Sequence, residues 1–130
     1  MELDITGSYE REQAELRGSR EALEGLAEAL GTGSAVRITL AAAQGIEPAP
    51  FEGFLKHLDI HPSDGSIKIA REGEALTIDG APEWLQIFGE NITLLWRLHP
   101  PSPGEHLHIE YYDGHHFLHP DALPLVVALS

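Results

Sequence analysis

From residue 106 the chain reads His106-Leu-His-Ile-Glu-Tyr-Tyr-Asp-Gly-His-His-Phe-Leu-His-Pro-Asp-Ala-Leu-Pro-Leu-Val-Val127, and this stretch decides the fold. Between His106 and Tyr112, polar or amphipathic side chains alternate with apolar ones, which is the pattern of a strand with one buried face. Asp113-Gly114 then predicts a two-residue type I′ turn, because both turn positions need positive φ and this pair tolerates it. The stretch therefore predicts a β-hairpin followed by one last strand.

The predicted hairpin has one face for the core and one face for contact. Its cross-strand pairs are Tyr112 with His115, Glu110 with Phe117, and His108 with His119. The better core face carries Leu107, Ile109, Tyr111, His116 and Leu118. The other face carries His106, His108, Glu110, Tyr112, His115 and His119. Aromatic side chains are enriched at the anchor positions of protein interfaces, so this second face predicts a partner-binding surface.

Two segments upstream predict helices with recognisable starts. Ser19 is an N-cap for a helix that ends at Gly31-Thr32-Gly33, and Pro82 lies in the first turn of a second helix. Residues at helical spacing are Leu23, Leu26, Ala27 and Leu30 in the first helix and Trp84, Leu85 and Phe88 in the second. Alternation of polar and apolar residues predicts strands over 3–6, 35–40, 66–71 and 75–79. Pro50 predicts the start of a short helix over 51–58. The prolines of 100–104 predict a connector.

An internal repeat links the two predicted helices. Residues 16–23 resemble residues 78–85 at an offset of 62 positions (80 − 18 = 62), and each copy reads as strand end, glycine, acidic first turn and apolar helical stripe. The repeat predicts an α+β fold in which two related strand–helix–strand halves form one mostly antiparallel sheet, with two main helices on one face. At 130 residues, the prediction is a single domain spanning residues 1–130.

Composition narrows the classes of function. The formal net charge is −13, which argues against binding to nucleic acid or to an anionic membrane and favours encounter with a basic partner. There is no cysteine, so no thiolate metal site or thiol nucleophile is available. The start of the chain lacks the pattern of a signal peptide, and no run of apolar residues is long enough to span a membrane. We therefore expect a cytoplasmic protein.

Catalytic motifs are lacking, and one metal site stays open as an alternative. The sequence has no Gly-x-Ser-x-Gly elbow and no Walker lysine, so neither nucleophilic hydrolysis nor nucleotide binding is indicated, and no cofactor is expected. Histidine and carboxylate side chains suit zinc or another divalent ion. The alternative function is a small metal-binding protein or a metal-dependent hydrolase, and its metal site would consist of His106, His108, Glu110 and His119. Against this site, residues i and i+4 of a strand, such as His106 and Glu110, lie about 13 Å apart.

The C-terminal stretch also carries a family resemblance. The pattern His-x-His-x-Glu-Tyr-Tyr-x-Gly-His-x-x-Leu-x-x-x-x-Leu-Pro-Leu-Val-Val over residues 106–127 resembles small immunity proteins of bacterial polymorphic-toxin systems. The strand-Gly-x-x-Glu-x-Leu unit at residues 76–85, with its copy at 16–23, is similar to members of the same family. The resemblance implies an intracellular protein that binds and neutralises one cognate toxin and is not an enzyme. With the acidic charge, it predicts a basic toxin, such as a nuclease.

Overall fold

The computed structural model describes residues 1–10, 12–42, 53–97, 105–115 and 117–130. Within these ranges the chain forms two α-helices and ten β-strands. The helices are α1 (Arg20–Leu30) and α2 (Pro82–Arg97). The strands are β1 (Glu2–Leu3), β2 (Ile5–Glu10), β3 (Gln13–Gly18), β4 (Val36–Leu40), β5 (Gly53–Leu55), β6 (His57–Pro62), β7 (Lys68–Glu72), β8 (Ala75–Gly80), β9 (His106–Ile109) and β10 (Leu125–Leu129).

The strands form two mixed sheets of five strands each. Sheet 1 has the order β1-β4-β6-β8-β7, and sheet 2 has the order β5-β2-β3-β10-β9. The predicted α+β class with two main helices is confirmed, but the single, mostly antiparallel sheet is replaced by these two. The reason is that the chain passes from one sheet to the other at Asp4, between β1 and β2, and at Lys56, between β5 and β6.

The internal repeat corresponds to two matching hairpin–helix units. Strand β3 and strand β8 keep the offset of 62 positions along their whole length, and each is the second strand of a hairpin that leads into a helix. The strands after the helices are exchanged between the sheets. Strand β4 follows α1 but lies in sheet 1 with β8, whereas β9 follows α2 but lies in sheet 2 with β3. Each sheet therefore needs strands from both halves of the chain.

Helix α1 forms where the cap and the apolar spacing predict it. The Ser19 side chain accepts a hydrogen bond from the Ala22 amide at 3.2 Å, which satisfies one of the free N–H groups of the first turn. Leu23 and Leu26 are fully buried in the core, and Gly31 caps the C-terminus. Helix α2 begins at Pro82 as predicted. Within the described residues, neither helix combines the length and the apolar character needed to cross a membrane.

The predicted helix over 51–58 is wrong, because Gly53–Leu55 and His57–Pro62 form strands β5 and β6. Residues 51 and 52 lie outside the described ranges. Strand β6 is the central strand of sheet 1, between β4 and β8, and its Leu58 and Ile60 are fully buried. Polar and apolar residues alternate through His57–Pro62, and burial against two neighbouring strands selects that pattern over helix. The predicted connector over 100–104 lies outside the described residues.

The predicted C-terminal hairpin is also wrong, because β9 pairs with β10 and not with residues 115–119. The β9–β10 pair is antiparallel, with Ile109 opposite Leu125 and His108 opposite Val126. All five residues of β10 are buried, so this apolar strand takes the position beside β9. Residues 117–119 instead lie along the start of β7, where the Ile67 amide donates to Phe117 O at 2.7 Å. The last predicted strand, β10, is confirmed.

The two helices pack directly on each other over the inner faces of both sheets. Their buried residues and the inward residues of the sheets belong to one hydrophobic core. At the helix crossing, a Cβ atom on Gly89 would lie 2.9 Å from Ala27 O and 3.3 Å from Ala27 Cα. Glycine is therefore needed at position 89 because backbone, rather than a movable side chain, occupies the space.

Replacing Gly89 with alanine should lower the free energy of unfolding. Overpacking costs typically about 1–3 kcal/mol, and the better helix propensity of alanine returns about 1 kcal/mol, so we expect a net loss of up to about 2 kcal/mol. The measurement is urea unfolding followed by circular dichroism. The matched control is Gly25→Ala in α1, where the new Cβ meets only the movable tip of Leu3 at 2.8 Å. An equal loss for both variants would contradict the close helix contact.

Candidate functional site

The outer surface of sheet 2 carries the first part of the predicted partner-binding face. Strand β9 alternates, so Leu107 and Ile109 contact the core while His106 and His108 point outward and are exposed. The two imidazole rings contact each other edge to face, with centroids 4.8 Å apart. Glu110 is exposed directly after the strand ends. Three of the six predicted residues are therefore brought together as the period-2 pattern indicates.

Tyr112 and His115 lie in a turn rather than in paired strands. The His115 amide donates to Tyr112 O at 2.9 Å, and Gly114 has a φ of 88°. Gly114, and not Asp113, carries the positive φ, so the turn is not of type I′. Tyr112 is 60% exposed, and its ring centroid lies 4.7 Å from that of His115. Tyr112 is thus an accessible aromatic side chain held against a histidine.

The remaining part of the face is organised by histidines that hold the backbone. His115 is half-buried, and its Nδ1 accepts hydrogen bonds from the amides of Phe117 at 3.3 Å and Leu118 at 3.1 Å. His119 is half-buried as well, and its Nδ1 accepts from the Asp121 amide at 3.0 Å. These two residues shape the segment from Tyr112 to Leu123, which we call the C-terminal segment.

The alternative metal set is not brought together. His108 lies opposite Val126 in sheet 2, whereas the His119 amide donates to Ile67 O, beside the edge of sheet 1, at 2.8 Å. Across the part of the chain that the structure describes, no three His, Asp or Glu side chains are arranged to hold a metal ion. The set fails because it depended on a hairpin in which His119 faces His108, and β10 occupies that position.

An acidic cleft of about 530 Å³ opens beside β9. It lies between the β2–β3 turn, the end of β9 and the C-terminal segment. Its polar lining residues are Glu10, Glu12, Gln13, His108, Glu110 and Asp121, and the rest of the lining is apolar. Four of these residues are carboxylates, and the described lining contains no lysine or arginine. We refer to this feature as the acidic cleft.

The sequence pattern predicted Glu110 and His108 at this place but missed Glu10, Glu12 and Asp121. The three missed residues come from two segments more than a hundred positions apart, and only the pairing of β3 with β10 brings them to one end of sheet 2. The sequence indicated these carboxylates only through its general excess of Asp and Glu, which does not show which of them lie together in the fold. A cleft lined by carboxylates raises the local concentration of cationic groups.

The outer surface of sheet 1 carries a separate ion pair. The Arg37 guanidinium donates to both carboxylate oxygens of Asp59, at 2.8 and 3.1 Å. The hydrogen bonds from Arg37 lower the pKa of Asp59, whereas partial burial of the carboxylate raises it. The charge of Arg37, with contributions from His61 and His57, lowers the pKa further. Two-point contacts of this kind fix the geometry of the pair.

Replacing Arg37 with alanine should raise the pKa of Asp59, because the hydrogen bonds that lower it are lost while partial burial remains. The pKa of Asp59 is lower in the folded protein than in the unfolded chain. The ion pair therefore stabilises the fold fully at a pH above the unfolded pKa, and this stabilisation is lost as the pH falls through the folded pKa. An NMR titration of the Asp59 carboxyl carbon measures the change. Arg37→Lys, which lacks the two-point contact, should give a smaller rise; an unchanged Asp59 titration in the alanine variant would contradict the pairing.

Comparison of the chain with family models, with curated proteins and with solved structures finds no match. The assignment of a function therefore depends on the geometry described above and on the residues themselves.

Proposed function

We propose that this chain is an immunity-type protein that binds and neutralises a basic toxin through the outer surface of β9 and the acidic cleft. The observation that carries the proposal is the cleft itself, in which four carboxylates and His108 surround an opening of about 530 Å³ on a chain of net charge −13. The resemblance of residues 106–127 to immunity proteins points to the same face, since that stretch supplies β9 and the C-terminal segment.

The chemistry of the surface suits a cationic partner. Glu110 and Asp121 are exposed at the cleft and can accept hydrogen bonds from the lysine and arginine side chains of a bound protein. Tyr112, two positions after Glu110 in the chain, offers a large amphipathic ring of the type that anchors interfaces. His106 and His108 extend the contact along β9. His115 and His119 support the surface by holding the backbone of the C-terminal segment.

Neutralisation needs no reaction by this chain. A nuclease binds nucleic acid through positive side chains that contact phosphates, so an acidic surface that covers its groove competes with the substrate for the same charges. Long-range attraction between the two proteins also raises the rate of encounter. This reading favours a nuclease as the toxin, with the acidic cleft seated on its substrate groove.

Native mass spectrometry of the chain isolated from its own cells tests the proposal. We expect a stoichiometric complex with one basic protein, and adding the chain to the isolated partner should abolish the partner's toxic activity. Hydrogen exchange of the complex should then show protection at Glu110 and Tyr112 and none along α1. A partner that is acidic, or that keeps its full activity when bound, would contradict the function. Protection confined to the helices would contradict the site alone.

A further inference from the structure

The internal repeat extends from the hairpins and helices to the order of the strands in the sheets. We call residues 5–62, which include β2 to β6, the first unit, and residues 68–129, which include β7 to β10, the second unit. In each unit a hairpin leads into a helix, and two later strands pair with each other in the opposite sheet. The strand order β4-β6-β8-β7 in sheet 1 therefore corresponds to the order β9-β10-β3-β2 in sheet 2.

The register of the strands matches between the two sheets as well. Ile60 lies beside Ile78 in the parallel pair β6–β8, and Val127 lies beside Leu16 in the parallel pair β10–β3. The corresponding residues differ by 67 positions in the last strands (127 − 60 = 67) and by 62 in the hairpin strands (78 − 16 = 62). All five residue pairs of β10–β3 keep these differences, so the two units are related by a rotation.

Two contacts between corresponding residues show where the rotation axis lies. Gly89 packs against Ala27 at the helix crossing, and the Arg71 guanidinium carbon lies 4.1 Å from the centroid of the Tyr9 ring. Both pairs have the offset of the repeat (89 − 27 = 62 and 71 − 9 = 62). A residue contacts its own counterpart only near a two-fold axis, so this axis passes between α1 and α2 and between β2 and β7. The arrangement is that of a symmetric dimer interface.

Apolar side chains of the two units are buried against each other. Leu16 and Ile60 of the first unit and Ile78 and Val127 of the second are all 0% exposed. In each sheet, the central parallel pair joins a buried strand of one unit to a buried strand of the other. Apolar burial of this kind joins the subunits of obligate dimers.

The last strand of each unit is held by the other unit in the same way. The Ser63 amide, directly after β6, donates to Gly80 O at 2.8 Å, and the Ser130 amide, directly after β10, donates to Gly18 O at 2.9 Å. The turn that joins the units follows Ser63, and its residues Asp64 and Gly65 are exposed. The symmetric contact is therefore made by strands and helices, and the exposed turn joins them covalently.

We propose that the two units bind each other as the subunits of a dimer do, so that the covalent connection at residues 63–67 is not needed for the fold. The acidic cleft lies at this interface, because Glu10 and Glu12 belong to the first unit and Glu110 and Asp121 belong to the second. Association of the units thus forms the surface for a cationic partner; that consequence alone rests on the proposed function.

A cleavable form of the full chain tests the proposal without any partner protein, so its failure is separate from failure of the proposed function. The recognition sequence of a site-specific protease is inserted between Asp64 and Gly65, and the chain is folded before it is cut. We expect native mass spectrometry to show a one-to-one complex of the two fragments, and circular dichroism to keep the spectrum of the uncut chain. Fragments that separate, or a spectrum that is lost at micromolar concentration, would overturn the proposal.

Unfolding of the cut chain in urea gives a second measurement. Because its fragments dissociate when they unfold, a tenfold dilution at the urea midpoint should lower the folded fraction from about 50% to about 15% by mass action. The uncut chain should stay about half folded after the same dilution, since its unfolding involves one molecule. A midpoint of the cut chain that does not depend on concentration would overturn the proposal, because each fragment would then fold by itself.

A matched control carries the same insertion between Gly73 and Glu74, two exposed residues in the turn of the β7–β8 hairpin. This cut divides the second unit, and it converts a local strand pairing into one between two molecules. After complete unfolding and removal of urea, fragments cut after Asp64 should regain most of the native circular dichroism. Fragments cut after Gly73 should regain less than half of it. Equal recovery would show that the units are not the parts that recognise each other.

Discussion

Replacing Phe88 with alanine is expected to lower the free energy of unfolding by about 3–5 kcal/mol, the usual cost of removing a fully buried phenylalanine ring. Phe88 is 1% exposed on α2, and its ring meets Phe117 edge to face with centroids 6.3 Å apart. The substitution removes the ring contact between Phe88 on α2 and Phe117 in the C-terminal segment and leaves a cavity in the core. Because native domains have total stabilities of about 5–15 kcal/mol, the variant should be close to unfolding.

Urea unfolding measures this loss, with two controls. Phe88→Leu keeps most of the apolar volume and should cost less than about 1.5 kcal/mol. Tyr112→Ala removes the aromatic side chain of a residue that is 60% exposed, and we expect a change within about 0.5 kcal/mol. A loss below about 1 kcal/mol for Phe88→Ala would mean that the pocket collapses around the missing ring, which the packing of two helices over two sheets does not allow.

The second large effect is expected on association with the proposed basic partner. Changing Glu10 and Glu110 to Gln and Asp121 to Asn removes three negative charges from the acidic cleft with little change of shape. We expect the association rate at low salt to fall about tenfold or more, since steering by a charged cleft contributes factors of this size. Stopped-flow mixing with the partner recovered by native mass spectrometry measures the rate.

A control triple variant separates the cleft from total charge. Glu2, Glu28 and Glu72 are exposed and lie outside the cleft, so changing all three to Gln alters the net charge by the same amount. This control should slow association by less than threefold, an estimate based on the screening of distant surface charges in salt. Equal slowing by the two triple variants would show that net charge attracts the partner and that the acidic cleft has no special part.

Local sequence signals determined several elements of this fold without help from distant residues. The cap at Ser19 and the spacing of Leu23 and Leu26 were sufficient for α1, because capping and helical periodicity act within a few turns. Strands β7 and β8 followed from the alternation of polar and apolar residues over 66–71 and 75–79. The repeat at an offset of 62 positions predicted two related units, and both are present. The excess of negative charge, a property of composition alone, predicts a basic partner and carries no information on where such a partner would bind.

Only the tertiary structure decided which strands pair and which charges meet. Asp113-Gly114 favours a local hairpin, yet β9 pairs with β10, because burying the five apolar residues Leu125–Leu129 between two neighbours outweighs a turn preference. The same competition makes β6 a central strand where Pro50 suggested a helix. It also determines the site, since the pairing of β10 with β3 brings Asp121 to the carboxylates of the β2–β3 turn. Burial depends on the whole chain, and no local pattern contains it.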